Sequence, residues 1–436
     1  MALMSDLDQA LNQAIEQYRR SHPASERIHQ QALGVLPGGN TRSVLFFDPF
    51  PPYMVRGEGC HLWDADGHRY LDALGEFTAG LYGHSDPVIR AAVSEALHSG
   101  LNLSSHTERE GLLARELQRR FPSMELLRFT NSGTEANLMA VATATASTER
   151  RKVLVFEGGY HGGVLAFGQG GSPVNVPHEW IVARYNDLED VHARVAPHHK
   201  DLAAILVEPM LGSGGCIPAD PQFLYGLRTL ANETGALLIF DEVMTSRLSF
   251  GGRQGLLGIR PDLTTLGKYF GGGLSFGAFG GRADVMSRFD PRRPQAWQHA
   301  GTFNNNVLTM AAGLAGLKHV LTAERLDALN RRGDALRTRL NALFERQGVP
   351  LQFTGLGSLM QLHPLAGPLR HANDLAAADD RVKALMFFEL LGRSVYMARR
   401  GFMALSLPFG DAECMRLEHA MAEAVNARRA LWPQSA

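Results

Sequence analysis

Cysteine is scarce in this sequence. The 436 residues include three cysteines, Cys60, Cys216 and Cys414, which are widely spaced and form no metal-type grouping. A disulfide-stabilised secreted domain needs a closely spaced framework of cysteines, and a zinc site needs paired ones, so both classes are excluded. The pattern is typical of a reducing compartment, and we expect a cytoplasmic protein without a metal site.

An excess of charge of one sign is also lacking, as are long apolar runs. The 43 lysine and arginine residues nearly balance the 44 aspartate and glutamate residues, which leaves no electrostatic footprint for nucleic acid or an anionic membrane. No apolar run approaches the ~18 residues of a spanning helix. The first 20 residues carry acids and amides where a signal peptide needs an apolar core, and they predict an amphipathic helix. Neither nucleic acid nor a membrane is an expected partner.

The length of the chain exceeds one ordinary hydrophobic core and predicts more than one domain. After Phe129, apolar strands alternate with helical stretches, which is typical of a wound α/β unit. We therefore expect an N-terminal helix and part of a small domain at 1–72, a large and mostly parallel α/β domain at 73–322, and the α+β remainder of the small domain at 323–436.

The terminal sections give more detailed expectations. Residues 1–30 predict helix. The C-terminal section predicts a long helix over 323–347, a strand over 351–361 and a helix over 373–391. A pair of strands is expected around Val395 and over 402–407, with antiparallel strands throughout this small domain.

Three short apolar runs in the central section end in polar or glycine-rich segments. Val153–Phe156 leads to a glycine-rich loop, Ala203–Val207 leads to Glu208, and Leu237–Phe240 leads to Asp241. Apolar runs without alternation indicate parallel strands that are covered on both faces. Ligands of such sheets bind beyond the carboxyl ends of the strands, so these segments are expected to converge on one pocket.

The pairing of Asp241 with Lys268 suggests cofactor chemistry. Lys268 ends a second short extended run, Asp262–Lys268, and precedes a glycine cluster. Pyridoxal phosphate needs an amine to hold it as a Schiff base and a carboxylate to keep its ring nitrogen protonated. The alternative is a helix-capping aspartate and a solvated lysine, so the pair gains weight only from the rest of the chain.

Three further segments have both a functional and a structural interpretation. The turn Asn131–Thr134 opens a predicted helix and suits an anion such as phosphate, although helix capping alone would explain it. Tyr160 lies in a glycine-rich loop that would let its ring stack on another ring, although an ordinary surface turn would look similar in sequence. The segment Gly301–Asn306 places hydroxyl and amide groups at a helix start, where they could again be caps.

Taken in order, these segments closely resemble the class III pyridoxal phosphate aminotransferases over about residues 37–408. The motifs are Ser-Gly-Thr at 132, Gly-Tyr-His-Gly at 159, Glu-Pro at 208, Phe-Asp-Glu-Val at 240, Thr-Thr-Leu-Gly-Lys at 264 and Gly-Thr-Phe at 301. The resemblance implies the α/β architecture called fold type I, with a large α/β domain and a smaller split domain. It also implies a homodimer with active sites at the subunit interface, a small-molecule amino donor and a keto acid acceptor.

The family's functional residues carry over to matching positions. Lys268 would hold the cofactor as a Schiff base, and Asp241 would face its ring nitrogen. Thr302 would reach the phosphate from the other subunit. The resemblance implies that the remaining cofactor contacts are Ser132, Gly133, Thr134, Tyr160, Glu208 and Met244.

Within the family, the motifs are similar to the branch that contains glutamate-1-semialdehyde 2,1-aminomutase. Three segments depart from the mutase pattern, at 40–47, 161–163 and 301–306, and they match the bacterial (S)-selective β-amino acid aminotransferases, which act on β-phenylalanine. In that group Arg42 would bind the substrate carboxylate and Arg400 would lie at the pocket edge, with Tyr160 also near substrate. An aminomutase, an ω-amino acid or amine transaminase, and a catalytically silent pyridoxal protein remain alternatives.

Chemistry supports the substrate role of Arg42 independently. A planar guanidinium is the preferred bidentate partner of a carboxylate. Arg42 lies in a loop with Phe46, Phe47 and Phe50, which could form an apolar wall for an aryl group. The alternative is a solvated loop arginine beside core phenylalanines.

Overall fold

The computed structural model describes residues 6–168 and 170–432, which cluster into two compact units. The first unit comprises the described residues up to Ser85, Arg331–Pro368 and those from Ala377 onward. The second comprises Asp86–Asn330 and Leu369–Ala376. The boundaries expected after residues 72 and 322 lie 13 and 8 residues before the observed limits of the units, at 85 and 330. The short segment 369–376, which was expected in the C-terminal section, belongs to the second unit.

The α-helices among the described residues are, in chain order, α1 (Asp6–Ser21), α2 (Pro23–Leu33), α3 (Pro87–His98), α4 (Glu108–Arg120), α5 (Gly133–Thr148), α6 (Leu188–Val195), α7 (Pro221–Thr234), α8 (Gly252–Leu257), α9 (Ala283–Met286), α10 (Val307–Ala315), α11 (Ala323–Arg346), α12 (Asp380–Leu391) and α13 (Asp411–Ala427). None of these helices combines the length and the hydropathy that crossing a bilayer requires.

The strands are β1 (Met54–Glu58), β2 (His61–Asp64), β3 (Arg69–Asp72), β4 (Leu126–Thr130), β5 (Lys152–Phe156), β6 (Glu179–Ala183), β7 (Leu202–Val207), β8 (Met210–Leu211), β9 (Ile217–Pro218), β10 (Leu237–Asp241), β11 (Leu263–Gly267), β12 (Gly277–Gly281), β13 (Gln352–Leu356), β14 (Leu359–His363), β15 (Val395–Tyr396) and β16 (Phe402–Ala404).

Local sequence explains where several helices begin. Asp86 accepts hydrogen bonds from the N–H groups of Val88 and Ile89 and is followed by Pro87, and Asp220 caps the proline-initiated helix α7 in the same way. A side-chain acceptor at the N-cap satisfies an unpaired N–H group of the helix start, and a proline at the first helical position has no N–H group that would need a partner.

The second unit is built on a seven-stranded sheet. Its strand order is β4-β12-β11-β10-β7-β5-β6. Strand β12 runs antiparallel to both neighbours, and the pairings from β11 to β6 are parallel. Successive residues of β5 and β7 enter two different hydrophobic clusters, one of which contains residues of α5 and the other residues of α7. Burial on both faces explains why these strands read as continuous apolar runs.

Strand β12 contains three glycines that the sheet requires. A Cβ atom added at Gly277 would lie 2.1 Å from the carbonyl oxygen of Ser132, and one added at Gly281 would lie 2.0 Å from that of Asp262. Neither backbone could accommodate a side chain there without moving. The glycines therefore allow β12 to lie directly against the turn that precedes α5.

The first unit contains two smaller sheets. One has the order β1-β2-β3-β15 and the other β13-β14-β16. Helix α1 packs its buried Tyr18 against Phe50 and Phe388, and the Tyr18 hydroxyl donates to the carbonyl oxygen of Phe50 at 2.9 Å. The aromatic cluster thus joins both ends of the chain in one core.

A buried carboxylate fixes the β2–β3 turn. Asp64 accepts hydrogen bonds from the Tyr70 hydroxyl at 2.6 Å and from the backbone N–H of His68 at 2.8 Å, and its carboxylate lies 2.9 Å from the His68 ring. Burial alone raises the pKa of Asp64, but hydrogen bonds with His22, Tyr70 and His68 outweigh it and hold that pKa well below its usual range. The turn is therefore held by a charged group.

The small-unit expectations were wrong in three places. The strand expected over 351–361 is a hairpin of β13 and β14. The helix expected over 373–391 begins only at Asp380, after a short 3-10 turn. Strands β15 and β16 do not pair with each other, because β15 pairs in parallel with β3 and β16 pairs with β14.

The expectation at the N-terminus was nearly right. The predicted helix over residues 1–30 is two helices, α1 and α2, because Pro23 begins a new helix after His22. The first five residues of that prediction lie outside the described part of the chain.

Candidate active site

Asp241 and Lys268 lie at the carboxyl ends of adjacent parallel strands. Asp241 pairs in register with Thr265, and the N–H of Glu242 donates to the Thr265 carbonyl at 3.1 Å. Lys268 follows at the end of β11, half-buried, with a left-handed backbone φ of 61°. This conformation is uncommon for a residue with a side chain and is typical of functional sites.

Buried aromatic residues hold the lysine in this conformation. Tyr269 and Phe270 are fully buried, and the Tyr269 hydroxyl accepts a 3.4 Å hydrogen bond from Arg120. The turn that begins at Lys268 ends at Gly272, which also has a positive φ. The buried residues on its C-terminal side therefore restrict the backbone from which the Lys268 side chain leaves.

Three nitrogen groups hold the Asp241 carboxylate in place. Its Oδ2 accepts from Asn137 Nδ2 at 2.8 Å and lies 2.8 Å from His161 Nδ1, and its Oδ1 accepts from the N–H of Val243 at 3.0 Å. Asp241, Asn137 and His161 are all buried. Charge-assisted hydrogen bonds of this length hold a carboxylate in a single orientation.

Asn137 is oriented in turn by the neighbouring strand. Thr265 Oγ1 donates to Asn137 Oδ1 at 2.7 Å, so the Asn137 amide nitrogen is directed to Asp241 and to the His161 carbonyl oxygen, 3.0 Å away. Sequence reasoning missed Asn137 and Thr265. The available signal was an asparagine within an otherwise apolar stretch of a helix, a position that requires a buried hydrogen-bond partner.

Glu208 fixes the backbone of the Tyr160 loop. It is buried, and its two carboxylate oxygens accept from the N–H groups of Tyr160 at 2.9 Å and Gly212 at 3.0 Å. Burial raises the pKa of Glu208 to about 7, with His161 opposing the shift and Asp241 adding to it. The Tyr160 ring itself is 47% exposed, so the loop presents an aromatic face from a fixed backbone.

The turn before α5 has the features of an anion site. Ser132 is the N-cap of α5 and accepts from the N–H of Glu135 at 3.1 Å, as the capping interpretation requires. The N–H groups of Gly133 and Thr134 lie in the first turn, where the helix supplies no acceptor. With the Ser132 and Thr134 hydroxyls, they form a donor set suited to a phosphate.

Close glycine contacts show that the loops of this site converge. A Cβ atom added at Gly267, next to Lys268, would lie 3.3 Å from the Gly133 Cα. One added at Gly162, which has a φ of 129°, would lie 2.3 Å from Thr134 Oγ1. One added at Gly212 would lie 2.1 Å from Met244 Sδ. The lysine turn, the phosphate turn and the tyrosine loop are therefore in direct contact.

The segment Gly301–Asn306 lies beside the phosphate turn. Asn304 Oδ1 accepts from Asn131 Nδ2 at 2.9 Å, and Asn306 caps α10. Thr302 and Phe303 are exposed. The asparagines thus have structural roles, while Thr302 presents its hydroxyl at the surface.

Arg42 and Arg400 lie in the first unit, and both guanidinium groups lie near one aromatic ring. The guanidinium of Arg42 lies 5.9 Å from the Phe77 ring centre, and that of Arg400 lies 5.3 Å from it. Phe77 stacks on Phe402 with ring centres 5.7 Å apart. The Arg42 guanidinium also forms an ion pair with Glu76, in which both side chains are about half exposed. Sequence reasoning missed Glu76 and Phe77.

The apolar wall expected beside Arg42 is corrected by the structure. Phe47 and Phe50 are buried, and both pack on Tyr18 and take part in the core of the first unit. Of the three phenylalanines, only Phe46 remains exposed. The alternative interpretation of core phenylalanines is right for these two residues.

The residues of the second unit fit pyridoxal phosphate. A phosphate would accept hydrogen bonds at the start of α5, where the close approach of Gly133 to Val243, at 3.0 Å for an added Cβ, leaves no room for a side chain. Asp241 offers an oriented carboxylate for a protonated ring nitrogen, and Lys268 offers an amine nearby in the fold. Both groups lie at the carboxyl edge of the sheet, where such folds bind ligands.

The sequence matches the family model Aminotransferase class-III over residues 47–364. It is 55% identical over 430 residues to a beta-phenylalanine transaminase of Variovorax paradoxus. The aligned region covers 98% of this chain and 99% of the relative. It is 36% identical to a glutamate-1-semialdehyde 2,1-aminomutase of Desulforamulus reducens, over 94% of this chain and 98% of the relative. The similarity to both relatives therefore extends across nearly the whole chain.

Solved structures show the same similarity. A beta-phenylalanine aminotransferase from Variovorax paradoxus superposes with a TM-score of 0.96 at 55% identity, covering 99% of this chain and all of that one. A transaminase with PLP bound superposes with a TM-score of 0.87 at 30% identity, covering 94% of this chain and 99% of that one. Pyridoxal phosphate is thus bound by a protein of the same fold.

Gly162→Ala is expected to weaken cofactor binding. The new methyl group would strike Thr134 and would also oppose the positive φ of Gly162, so the phosphate turn must shift. We expect the Kd for pyridoxal phosphate, measured by titrating the apoprotein, to rise by about tenfold or more, equivalent to roughly 1.4 kcal/mol.

Gly163→Ala is the matched control for this experiment. A Cβ atom at Gly163 meets nothing within 4 Å, so that variant should bind the cofactor as the wild type does. Equal affinity of Gly162→Ala and wild type would show that the Tyr160 loop does not position the phosphate turn.

Proposed function

The chain belongs to the class III aminotransferases, and from this premise we propose that its amino donor is an aromatic β-amino acid such as β-phenylalanine and its acceptor a 2-keto acid, 2-oxoglutarate or pyruvate. It has the α/β architecture of fold type I and uses pyridoxal phosphate as cofactor. The observation that carries the choice of donor is the exposed Arg42 guanidinium, held against Phe77 together with Arg400.

We propose that Ser132, Gly133 and Thr134 hold the phosphate and that Asp241 holds the ring nitrogen. When bound, the cofactor acts as an electron sink for the substrate carbon that carries the amino group. Asp241 supports this by keeping a negative charge beside the ring nitrogen. Because Asn137 and His161 use one carboxylate oxygen and the Val243 N–H uses the other, the carboxylate cannot rotate away.

Lys268 is proposed to hold the cofactor covalently through Nζ and then to move the proton. With the cofactor bound, the free Lys268 amine would take a proton from the substrate carbon that bears nitrogen and would hold it for return. This transfer needs a base within hydrogen-bond reach of that carbon. The left-handed turn at Lys268, which is followed by the buried Tyr269 and Phe270, supports Lys268 as this base.

Arg42 is proposed to bind the carboxylate of the amino donor. In a β-amino acid this group lies one carbon further from the reacting nitrogen than in an α-amino acid, so its partner must lie away from the cofactor. A guanidinium binds a carboxylate in bidentate fashion. The Arg42 guanidinium, which lies on a loop, can also bind the carboxylate of a keto acid in the second half-reaction. Arg400, which lies near the stacked rings of Phe77 and Phe402, adds a second positive charge.

The glutamate-1-semialdehyde aminomutase reaction is the less supported alternative. The 36% identity to such a mutase is well below the 55% identity to the beta-phenylalanine transaminase. A transaminase needs a keto acid acceptor, whereas a mutase returns the amino group to the same carbon skeleton. Activity with β-phenylalanine and 2-oxoglutarate, compared with conversion of glutamate semialdehyde, distinguishes the two.

The enzyme is further proposed to be a homodimer whose active sites lie at the subunit interface. Thr302 and the 58%-exposed Phe303 support this, since a large exposed aromatic next to the phosphate turn is typical of an interface. Thr302 would then reach the phosphate of the other subunit. A cytoplasmic location is proposed because the three cysteines, all within the described residues, are buried and form no disulfide with one another.

Lys268→Ala is expected to abolish turnover. Without an amine at this position there is no group to hold the cofactor covalently or to move the proton, so kcat should fall by at least about a thousandfold. The visible absorbance of the purified protein should be lost with it. Lys318→Ala, at an exposed lysine of the same unit, is the control, and wild-type turnover in Lys268→Ala would refute the proposed mechanism.

Asp241→Asn keeps the size of the side chain and removes its charge. The ring nitrogen loses its ionic partner, and we expect kcat to fall by roughly a thousandfold, or about 4 kcal/mol. Asp220→Asn, at the exposed cap of α7, should leave kcat unchanged. Near-normal turnover in Asp241→Asn would mean that another residue holds the ring nitrogen.

Arg42→Ala tests the choice of donor. Loss of a charge-assisted bidentate contact of roughly 2–4 kcal/mol should lower kcat/KM for carboxylated donors about 30- to 1000-fold. Amines without a carboxylate should be far less affected, because they never used this contact. Arg56→Ala, which removes a similarly exposed arginine paired with Glu58, should change neither. Equal losses for both kinds of donor would show that Arg42 shapes the loop and does not read the carboxylate.

A further inference from the structure

Glu76 is paired with the guanidinium group that the proposed function assigns to the substrate's carboxylate. Its carboxylate forms the ion pair with Arg42, which involves the Arg42 Nη1 atom. We propose that Glu76 is an internal competitor for Arg42: the donor's carboxylate must displace it, so Glu76 sets the affinity of the enzyme for carboxylated substrates. This inference rests on the proposed function, because it assumes that Arg42 reads the donor.

The backbone presents Glu76 in an unusual way. Four consecutive residues, Gly75, Glu76, Phe77 and Thr78, have positive φ angles of 54°, 48°, 49° and 82°. Left-handed conformation costs a residue with a side chain roughly 1 kcal/mol or more. Such a turn persists only where the surrounding structure stabilises it, and it is typical of functional sites.

Several contacts hold this left-handed turn. Asp72 Oδ1 accepts from the N–H groups of Leu74 at 2.9 Å and Gly75 at 3.0 Å. A Cβ atom added at Gly75 would lie 2.2 Å from the carbonyl oxygen of Ala404, so β16 packs directly against the turn. Phe77 is buried in its stack with Phe402. The turn is therefore a rigid part of the first unit.

Glu76 is the exception within this buried segment. From Tyr70 to Thr78 every residue is buried except Glu76, which is exposed. The residues on both sides of Glu76 are buried, and the left-handed turn they form has an energetic cost. This turn directs the Glu76 carboxylate outward to Arg42. Packing alone would not require an acidic residue at this position, since its side chain fills no core space.

The ion pair has the strength expected of a displaceable contact. Both side chains are about half exposed, and exposed pairs contribute only about 0.2–1 kcal/mol. A fully buried pair would lock Arg42, since breaking it is strongly unfavourable. An exposed pair instead keeps the guanidinium neutralised while no carboxylated substrate is bound, and releases it to a bidentate partner.

This competition would act on one class of substrate. A donor or acceptor with a carboxylate must displace Glu76, whereas an amine without one leaves the Arg42–Glu76 pair intact. The alternative role for Glu76 is to position Arg42 for the substrate. The two roles predict opposite signs, because loss of a competitor tightens binding and loss of a positioning contact weakens it.

The test is Glu76→Gln in the holoenzyme, with 3-phenylpropanoate, the donor skeleton without its amine, as the binding probe. Removing the charge should lower the Kd of this probe and the KM for β-phenylalanine by about two- to fivefold, with kcat unchanged. The gain should shrink at high salt, which screens exposed charges. Amines without a carboxylate should show no change. An unchanged or higher Kd in Glu76→Gln overturns the proposal.

Two further variants control the experiment. Glu58→Gln removes the carboxylate of the exposed Arg56–Glu58 pair in the same unit and should leave the probe's Kd unchanged. Glu76→Asn also lacks the charge, and asparagine tolerates left-handed φ better than glutamine does, so it gives the same readout if Glu76→Gln folds poorly. Tightening in Glu76→Asn supports the proposal, and weaker or unchanged binding overturns it.

Arg42→Ala separates this inference from the function on which it rests. If Arg42→Ala lowers activity equally with carboxylated and uncharged donors, the proposed function fails and the role of Glu76 fails with it. If Arg42→Ala is selective for carboxylated donors but Glu76→Gln does not tighten the probe, only the competition is wrong. Selectivity in the first variant together with tightening in the second supports both.

Discussion

The second unit depends on the orientation of one carboxylate. Asp241 ends the central strand β10 inside a protein core, where a buried charge is tolerated only when hydrogen bonds surround it. Asn137 supplies one from α5, the Val243 N–H supplies one from the following turn, and His161 lies against the same oxygen from the tyrosine loop. Helix, strand end and loop are thereby placed relative to one charge, and the lysine turn of the adjacent strand follows from the same register.

The sequence predicted the parts of this site that are local in the chain. A buried parallel strand is a continuous apolar run, so its end and the polar residue after it are visible, as at Asp241. Lys268 was identified in the same way. Asn137 was not, because its role comes from Thr265 and Asp241, which are distant in the chain and become neighbours only when the strands pair.

Non-local pairing also explains the errors in the first unit. Strand β15 is two residues long and pairs in parallel with β3, which is near the other end of the chain. Nothing in a local pattern distinguishes that partner from β16. Phe47 and Phe50 likewise could be an exposed wall or a core, and the choice depends on Tyr18, which approaches them from helix α1. Glu76 could not be identified because the left-handed turn that exposes it is stabilised by β16.

The glycines of β12 also bear on how this enzyme could change over generations. Any side chain at Gly277 or Gly281 collides with the carbonyl groups of Ser132 or Asp262, so these two positions accept almost no substitution. The side chains of Arg42 and Glu76, in contrast, are about half exposed. Mutational drift and laboratory selection are thus directed away from the turn beside β12 and towards exposed residues such as Arg42, the proposed partner of the substrate carboxylate. New donor preferences can arise by steps that leave every intermediate protein folded and able to bind its cofactor.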